Sequence, residues 1–159
     1  MSDLIRPNDE EELAAAVAEA YSSQTPVEVI GAGSKRDIGR PIQTAACLTT
    51  EKLNGLTLYE PTELVLSARA GMPLVEIEKT LAENDQQLAF EPVDLGPMLG
   101  QDAGLATIGA VFASNLSGSR RIRAGAARDH LLGLRAVSGC GEIFKSGGRV
   151  MKNVTGYDL

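Results

Sequence analysis

The segment from residue 88 to residue 129 most limits what this chain can fold into, because its apolar residues follow neither helical nor strand spacing. Unstructured segments of this length are uncommon inside compact domains and usually serve a function. Small residues dominate it, and its glycines are Gly96, Gly100, Gly104, Gly109, Gly118 and Gly125. Polar groups also cluster there, on Thr107, Ser114, Asn115, Ser117 and Ser119. The pattern favours a ligand site, and the alternative is a turn region packed against a sheet.

A second glycine-rich stretch follows a short apolar run. Val27–Ile30 predicts a buried strand that leads directly into the sequence GAGSK, residues 31–35. Successive backbone N–H groups in such a turn form a concave site that suits phosphate. Arg36 takes the place of the third glycine of a dinucleotide fingerprint, and the P-loop pattern also fails. The loop therefore indicates either a phosphate site or a purely structural turn.

Two helices are predicted by apolar spacing. The first begins after Asn8, predicted as its N-cap with Glu11 completing a capping box, and it ends near Ser23. The second begins with Pro73 as its first residue, and Leu74, Ile77 and Leu81 face inward.

Three further strands are predicted. Residues 63–70 alternate, which puts Leu64, Leu66, Ala68 and Ala70 on one face. Residues 131–138 and 141–148 flank Gly139-Cys140-Gly141 and predict a hairpin.

Charge is unevenly distributed along the chain. Residues 1–102 carry 7 basic and 18 acidic side chains, a net −11, whereas residues 103–159 carry 8 and 3, a net +5. Four arginines lie within nine residues, at positions 120, 121, 123 and 128. They indicate a solvated basic face, an anion site such as one for pyrophosphate, or a surface for an acidic partner. Nucleic acid is disfavoured, because the pI is about 4.8 and no aromatic side chain lies among these arginines.

Cys47 and Cys140 fit no metal-binding spacing and are predicted to be buried free thiols in a reducing compartment. His130, the sole histidine, is predicted to be structural. No stretch approaches the roughly 18 apolar residues of a membrane span, and the first residues lack a secretory pattern. The last residues, KNVTGYDL, lack a polar tail, so we expect the sequence to be part of a longer protein.

The order of these pieces resembles a known family. The strings are GAGSK, AGMPLVEI, ATIGAVFASNLSG, RAGAARDHLLGLRAVSG and GGRVMKNVTGYDL. They resemble FAD-binding domains of the vanillyl-alcohol-oxidase or PCMH type. Within that superfamily, LNGLTLYEPTELVLSARAGMPLVEIEKTLAENDQQLAFEP and SGGRVMKNVTGYDL resemble FAD-binding subunits of bacterial glycolate oxidases.

The resemblance implies an α+β fold of two α/β lobes with FAD in the cleft between them. The small lobe, with parallel strands, would cover about residues 1–55, and the larger, mostly antiparallel lobe about residues 56–159. The resemblance also implies a C-terminal substrate or cap domain in relatives, and we expect that domain to be absent from this sequence.

The resemblance also implies a cofactor site. One loop would hold the pyrophosphate through backbone N–H groups: Gly31, Ala32, Gly33, Ser34 and Lys35. A second clamp would comprise Thr107, Ile108 and Gly109. Ser114, Asn115, Ser117 and Gly118 would follow the diphosphate and flavin. Gly125 would let the backbone pass close to the cofactor, and Pro92 and Asp94 would border the flavin entrance.

Two departures from the family pattern change these expectations. The first loop contains no histidine, so we expect non-covalent FAD. Ala110 stands where many relatives have a glycine, so we expect the backbone to approach the cofactor less closely there.

The activity implied is oxidation of a short 2-hydroxy acid, glycolate to glyoxylate, with hydride transfer to flavin N5. Electrons would pass to partner subunits, a second flavoprotein and an iron-sulfur subunit, in the cytoplasm or at the inner face of the membrane. No catalytic residue is singled out, and we expect this fragment to be inactive by itself. The alternatives are a non-catalytic FAD-binding or assembly subunit, and a flavin reductase of the kind that makes UDP-N-acetylmuramate.

Overall fold

A computed structural model describes residues 3–148. Its seven strands are β1 (Asp3–Ile5), β2 (Val27–Ile30), β3 (Ala46–Thr49), β4 (Leu56–Glu60), β5 (Val65–Ala68), β6 (Gly133–Val137) and β7 (Ile143–Gly147). The four α-helices are α1 (Glu10–Ser22), α2 (Leu74–Ala82), α3 (Ile108–Ser114) and α4 (Arg121–Ala124). Three 3₁₀ turns cover Pro61–Glu63, Pro97–Leu99 and Ala127–His130. The α+β class predicted from the sequence is confirmed.

A parallel sheet in the order β1-β3-β2 occupies the N-terminal third of the chain. β3 lies at its centre, and all four of its residues are buried. Cys47 is one of them, and this burial raises the pKa of its thiol. The predicted strand β2 is confirmed, and it leads the chain to the GAGSK loop. The prediction that this strand is buried was wrong, because β2 is an edge strand and Val29 is 65% exposed.

The predicted N-cap of α1 was wrong by one residue. Asp9 caps the helix, because its Oδ1 accepts a hydrogen bond from the Glu12 N–H at 2.8 Å. Asn8 lies one residue earlier, and its backbone N–H donates to the Glu12 carboxylate at 2.8 Å. Two neighbouring residues with capping side chains were available, and backbone geometry selected the second.

β4 and β5 form an antiparallel pair, and Leu64 does not belong to it. Pro61 opens a 3₁₀ turn that ends at Leu64, which has a left-handed backbone (φ 56°) and is 78% exposed. The prediction that Leu64 shares the buried face was therefore wrong. Leu66 and Ala68 pack against the core as predicted.

The main core is built around α2. Leu74, Ile77 and Leu81 are buried, which confirms the predicted inward face. Pro73 is the N-cap, with an extended ψ of 136°, and not the first helical residue. The rest of this core comes from across the chain: Met72, Phe90, Ala106, Ile108, Val111 and Ala127.

The predicted hairpin is confirmed as β6 and β7, which lies against α1. The Arg135 guanidinium makes a bidentate ion pair with the Glu10 carboxylate, and Gly141 packs directly on Ala14 and Ala18. Cys140 lies in the turn and is exposed, so the prediction that both thiols are buried was wrong for this residue. A turn residue cannot be buried unless another element covers it.

The segment 88–129 contains short helices that its sequence pattern does not predict, α3 and α4 among them. Within residues 3–148, no helix is long and apolar enough to cross a membrane.

Candidate functional site

The GAGSK loop follows β2, and its backbone N–H groups make no hydrogen bonds within the described residues. The loop is nevertheless anchored, because the Thr49 hydroxyl donates to the Gly31 carbonyl at 2.9 Å. Gly33 has a φ of 80°, which favours glycine. An anchored loop with unused donors can accept an anion.

Two side chains of this loop are withdrawn from solvent. Ser34 is 6% exposed. The Lys35 ammonium is buried and has no hydrogen-bond partner within residues 3–148. A buried ammonium without a partner is costly, and an anionic ligand would remove that cost.

The loop lies directly against the start of α3. A side chain at Gly31 would overlap the Thr107 hydroxyl and methyl groups. Thr107 is 3% exposed and is the N-cap of α3, where its hydroxyl accepts the Ala110 N–H at 3.4 Å. Two predicted clamps, 76 residues apart in sequence, are therefore in contact.

The first turn of α3 differs from the GAGSK loop, because its backbone N–H groups already donate hydrogen bonds within the protein. The Ile108 N–H donates to the Met72 carbonyl at 3.0 Å, and the Gly109 N–H donates to the Ala70 carbonyl at 2.9 Å. A Cβ at Gly109 would lie 2.7 Å from the same Ala70 oxygen, so the close crossing requires glycine. Ile108 also buries its side chain in the core. Within this structure these two residues fix the position of α3 and offer no free N–H.

A second group of predicted residues surrounds the segment after α3. Pro92 and Ser117 form a β-bridge, and the Gly118 N–H donates to the Glu91 carbonyl at 2.9 Å. The Ser117 hydroxyl is buried, with no hydrogen-bond partner among the described residues. It is the second buried side-chain polar group, after the Lys35 ammonium, that has no partner within residues 3–148.

Asn115 and Ser114 at the end of α3 have local roles. Asn115 is left-handed (φ 48°), and its Oδ1 accepts the Arg128 N–H at 3.1 Å. The Ser114 hydroxyl donates to the Ala110 carbonyl at 2.7 Å. α3 thus touches the GAGSK loop through Thr107 and the 125–130 turn through Asn115.

Gly125 lies in that turn with a φ of 78°. The Asp129 carboxylate accepts the Ala126 N–H at 2.8 Å, and this bond lowers its pKa. His130 Nε2 is 2.7 Å from the Ala124 carbonyl oxygen, and the ring lies 5.4 Å from that of Phe90. These contacts are those of a structural histidine.

The Asp94 carboxylate, like that of Asp129, accepts hydrogen bonds from backbone N–H groups. Its two carboxylate oxygens accept the N–H groups of Gly96 at 3.1 Å and of Gly104 at 2.7 Å. It therefore closes the loop between them.

Three residues that shape the site were not predicted: Thr49, Glu91 and Gln101. Thr49 anchors the GAGSK loop, and Glu91 holds both Gly118 and Arg120. Gln101 lines a cleft of about 480 Å³ together with Ala32, Gly33 and Arg36. Glu91 directly precedes Pro92 in the sequence, and Thr49 ends a buried strand, but nothing in the sequence marks Gln101.

Arg36 at the mouth of this cleft is paired. It forms a bidentate ion pair with Glu28, at 2.9 and 2.6 Å, which raises the pKa of the guanidinium. Within the described residues, no group of three or more His, Cys, Asp or Glu residues is arranged to hold a metal ion.

Comparisons with known proteins identify what this chain is similar to. The chain is 43% identical over 143 residues to the glycolate oxidase subunit GlcE of Escherichia coli K12, covering 90% of the chain and 39% of GlcE. It is 29% identical to the D-lactate dehydrogenase of Archaeoglobus fulgidus, covering 98% of the chain and 33% of that enzyme. The chain thus spans between a third and two fifths of these relatives.

The fold has solved counterparts. A structure of alkyldihydroxyacetonephosphate synthase superposes with a TM-score of 0.69 at 20% identity, covering 95% of this chain and 29% of that one. The family model described as FAD binding domain matches residues 2–147. The predicted PCMH-type fold and the predicted cofactor, FAD, are confirmed, and the chain belongs to the FAD binding domain family.

Proposed function

We propose that this chain is the FAD-binding part of an oxidoreductase that oxidises a short 2-hydroxy acid, with glycolate as the first candidate. The observation that carries the cofactor site is the buried ammonium of Lys35, which has no partner within residues 3–148 and lies in a loop whose N–H groups are also unbonded there. The candidate substrate comes from the 43% identity to a glycolate oxidase subunit.

The residues fit the diphosphate of FAD. The five N–H groups of residues 31–35 and the Lys35 ammonium are donors without acceptors among the described residues, and a diphosphate consists of acceptors without donors. Hydrogen bonds to a charged group contribute about 1.5–3 kcal/mol each. Thus the loop would hold the phosphates by direct donation.

The second clamp would act differently from what the family resemblance implies. The N–H groups of Ile108 and Gly109 are bonded to carbonyls, so Thr107, Ile108 and Gly109 would support the GAGSK loop from behind. Ser117 would donate its buried hydroxyl to the cofactor, beside Pro92 and Gly118. Ser114, Asn115, Gly125 and Asp94 would hold the backbone that surrounds it.

FAD, when bound, supplies the chemistry of accepting a hydride equivalent from the substrate carbon. The residues of this chain bind the cofactor, orient it and exclude water from its phosphates. We propose non-covalent binding, since the loop contains no histidine and the sole histidine is engaged with Ala124 and Phe90.

We also propose that the chain works with partner subunits, a second flavoprotein and an iron-sulfur subunit, in the cytoplasm or at the inner face of the membrane. The relative GlcE is a glycolate oxidase subunit, and this similarity supports a multi-subunit assembly.

A non-catalytic FAD-binding or assembly role is favoured by one observation. Glu91, Asp94 and Asp129, three carboxylates beside candidate site residues, each accept at least one backbone N–H group. Each of these three is therefore engaged in holding a loop and is not a free general base.

Titration of the purified chain with FAD, followed by anaerobic addition of substrate to the complete complex, tests the proposal. We expect saturable binding of one FAD per chain, and in the complete complex we expect glycolate to bleach the flavin absorbance more than D-lactate does. FAD binding without bleaching in the complete complex would support the assembly role. Absence of FAD binding would overturn both.

A further inference from the structure

The four-residue helix α4 presents an isolated apolar side chain among arginines. Ile122 is 96% exposed, more than any other large hydrophobic side chain within residues 3–148. We call the surface formed by Arg120, Arg121, Ile122, Arg123 and Arg128 the α4 patch. Solvent exposure of an isoleucine ringed by cations resembles the apolar anchor and charged rim of a protein interface.

The α4 patch is held in place. The Arg120 N–H donates to the Glu91 carboxylate at 2.9 Å, and the Ala124 N–H donates to the Arg120 carbonyl at 2.8 Å. The Gly125 N–H donates to the Arg121 carbonyl at 3.0 Å. A preformed surface loses less conformational entropy on binding than a flexible one.

The charge of the α4 patch is largely uncompensated. Among the described residues, Arg6, Arg36 and Arg135 each pair with a glutamate, whereas Arg120, Arg121 and Arg123 make no ion pair. Arg128 makes one, with the exposed carboxylate of Asp129 at 3.6 Å. The patch therefore presents positive charge to an incoming surface, although the whole chain has a net charge of −6.

The α4 patch also adjoins the cofactor site. Glu91 joins the two, because its carboxylate accepts the Arg120 N–H and its carbonyl accepts the Gly118 N–H. Ser117, with its unpartnered hydroxyl, is three residues before Arg120. A protein docked here would be close to the cofactor.

We propose that the α4 patch is the docking surface for a partner protein subunit that presents carboxylates around an apolar pocket and receives electrons from the bound flavin. This inference rests on the proposed function. Charge complementarity selects an acidic protein surface, and the single isoleucine would fill its pocket. A membrane is less suitable, because a four-residue helix offers far less apolar area than an amphipathic membrane helix.

The test compares complexes purified through this chain from cells that express its partner subunits. The variants are Ile122→Glu and Arg121→Glu/Arg123→Glu. Matched controls are Leu64→Glu, another exposed apolar residue, and Arg69→Glu/Lys79→Glu, another pair of exposed cations. The readouts are FAD content, glycolate-dependent reduction of a small soluble dye, the amounts of bound iron-sulfur and flavoprotein subunits, and their release by salt.

We expect the two patch variants to keep FAD and dye reduction but to bind the partner subunits at least about tenfold more weakly, with loss of the salt dependence. The controls should match the wild type. Unchanged partner binding would overturn the proposal, as would loss of FAD in the patch variants, or preferential binding of the chain to phosphatidylserine vesicles. A wild-type complex without FAD would instead overturn the proposed function.

Discussion

The Gly31 backbone lies so close to the Thr107 side chain that any side chain at position 31 would require Thr107 to move. A side chain there would overlap the Thr107 hydroxyl, and Thr107 is almost fully buried. This contact joins the loop after β2 to the N-cap of α3. The site therefore depends on the position of α3 even though the first turn of α3 has no free donors.

Replacement of Gly31 should separate these two elements. We expect Gly31→Ala to lower the free energy of unfolding by about 1–3 kcal/mol, the usual cost of overpacking, and to weaken FAD binding. Gly139→Ala is the matched control, because a Cβ at Gly139 meets no atom within 4 Å. Urea denaturation of both variants measures the difference. Equal stability of the two would show that the contact does not constrain the loop.

The ion pair between Glu10 and Arg135 predicts a loss of stability in acid. The hydrogen bond from Arg135 lowers the pKa of the Glu10 carboxyl below its ordinary value of 4.5. A carboxyl with a lowered folded-state pKa stabilises the fold above its unfolded pKa, and this contribution is lost as the pH falls through the folded value.

Glu10→Gln should therefore destabilise the chain at pH 7 and flatten the decline of stability below about pH 4.5. Glu11→Gln, at the adjacent exposed position, serves as the control. Thermal unfolding across this pH range measures the effect, and parallel curves for Glu10→Gln and the wild type would contradict it.

The buried hydroxyl of Ser117 leads to a third prediction. Because it lacks a partner within the described residues, Ser117→Ala should leave the stability without FAD unchanged or slightly raised. FAD affinity should fall by roughly fivefold, as expected for a lost hydrogen bond of about 1 kcal/mol. Ser119→Ala, at an exposed position nearby, should change neither quantity. A loss of apo stability in Ser117→Ala would show that the hydroxyl is bonded within the protein.

The elements predicted correctly from the sequence are those that local pattern determines. β2, α2 and the β6–β7 hairpin follow from apolar spacing and turn glycines. The errors arose where neighbouring positions compete or distant contacts decide. Asp9 caps α1 in place of the predicted Asn8. Leu64 lies outside the predicted strand, because the turn that begins at Pro61 ends with Leu64 in a left-handed conformation.

The segment 88–129 shows more clearly which structure the sequence pattern cannot predict. α3 begins where Met72 and Ala70 accept the N–H groups of Ile108 and Gly109, and no periodicity in the sequence reports those bonds. Motif resemblance named candidate site residues but not their hydrogen bonds. It could not distinguish the N–H groups of the GAGSK loop, which are unbonded among the described residues, from the bonded N–H groups of α3, since both follow the same pattern of small residues.

The role of Lys35 is the most direct test of how the loop binds its ligand. Titration of the wild-type chain, Lys35→Met and the exposed control Lys145→Met with FAD, followed by flavin fluorescence, compares their dissociation constants. We predict that Lys35→Met weakens FAD binding by about 10- to 100-fold, the equivalent of one charge-assisted hydrogen bond, while Lys145→Met binds like the wild type. Equal affinity of Lys35→Met and the wild type would contradict the assignment of the GAGSK loop as the site of the FAD diphosphate.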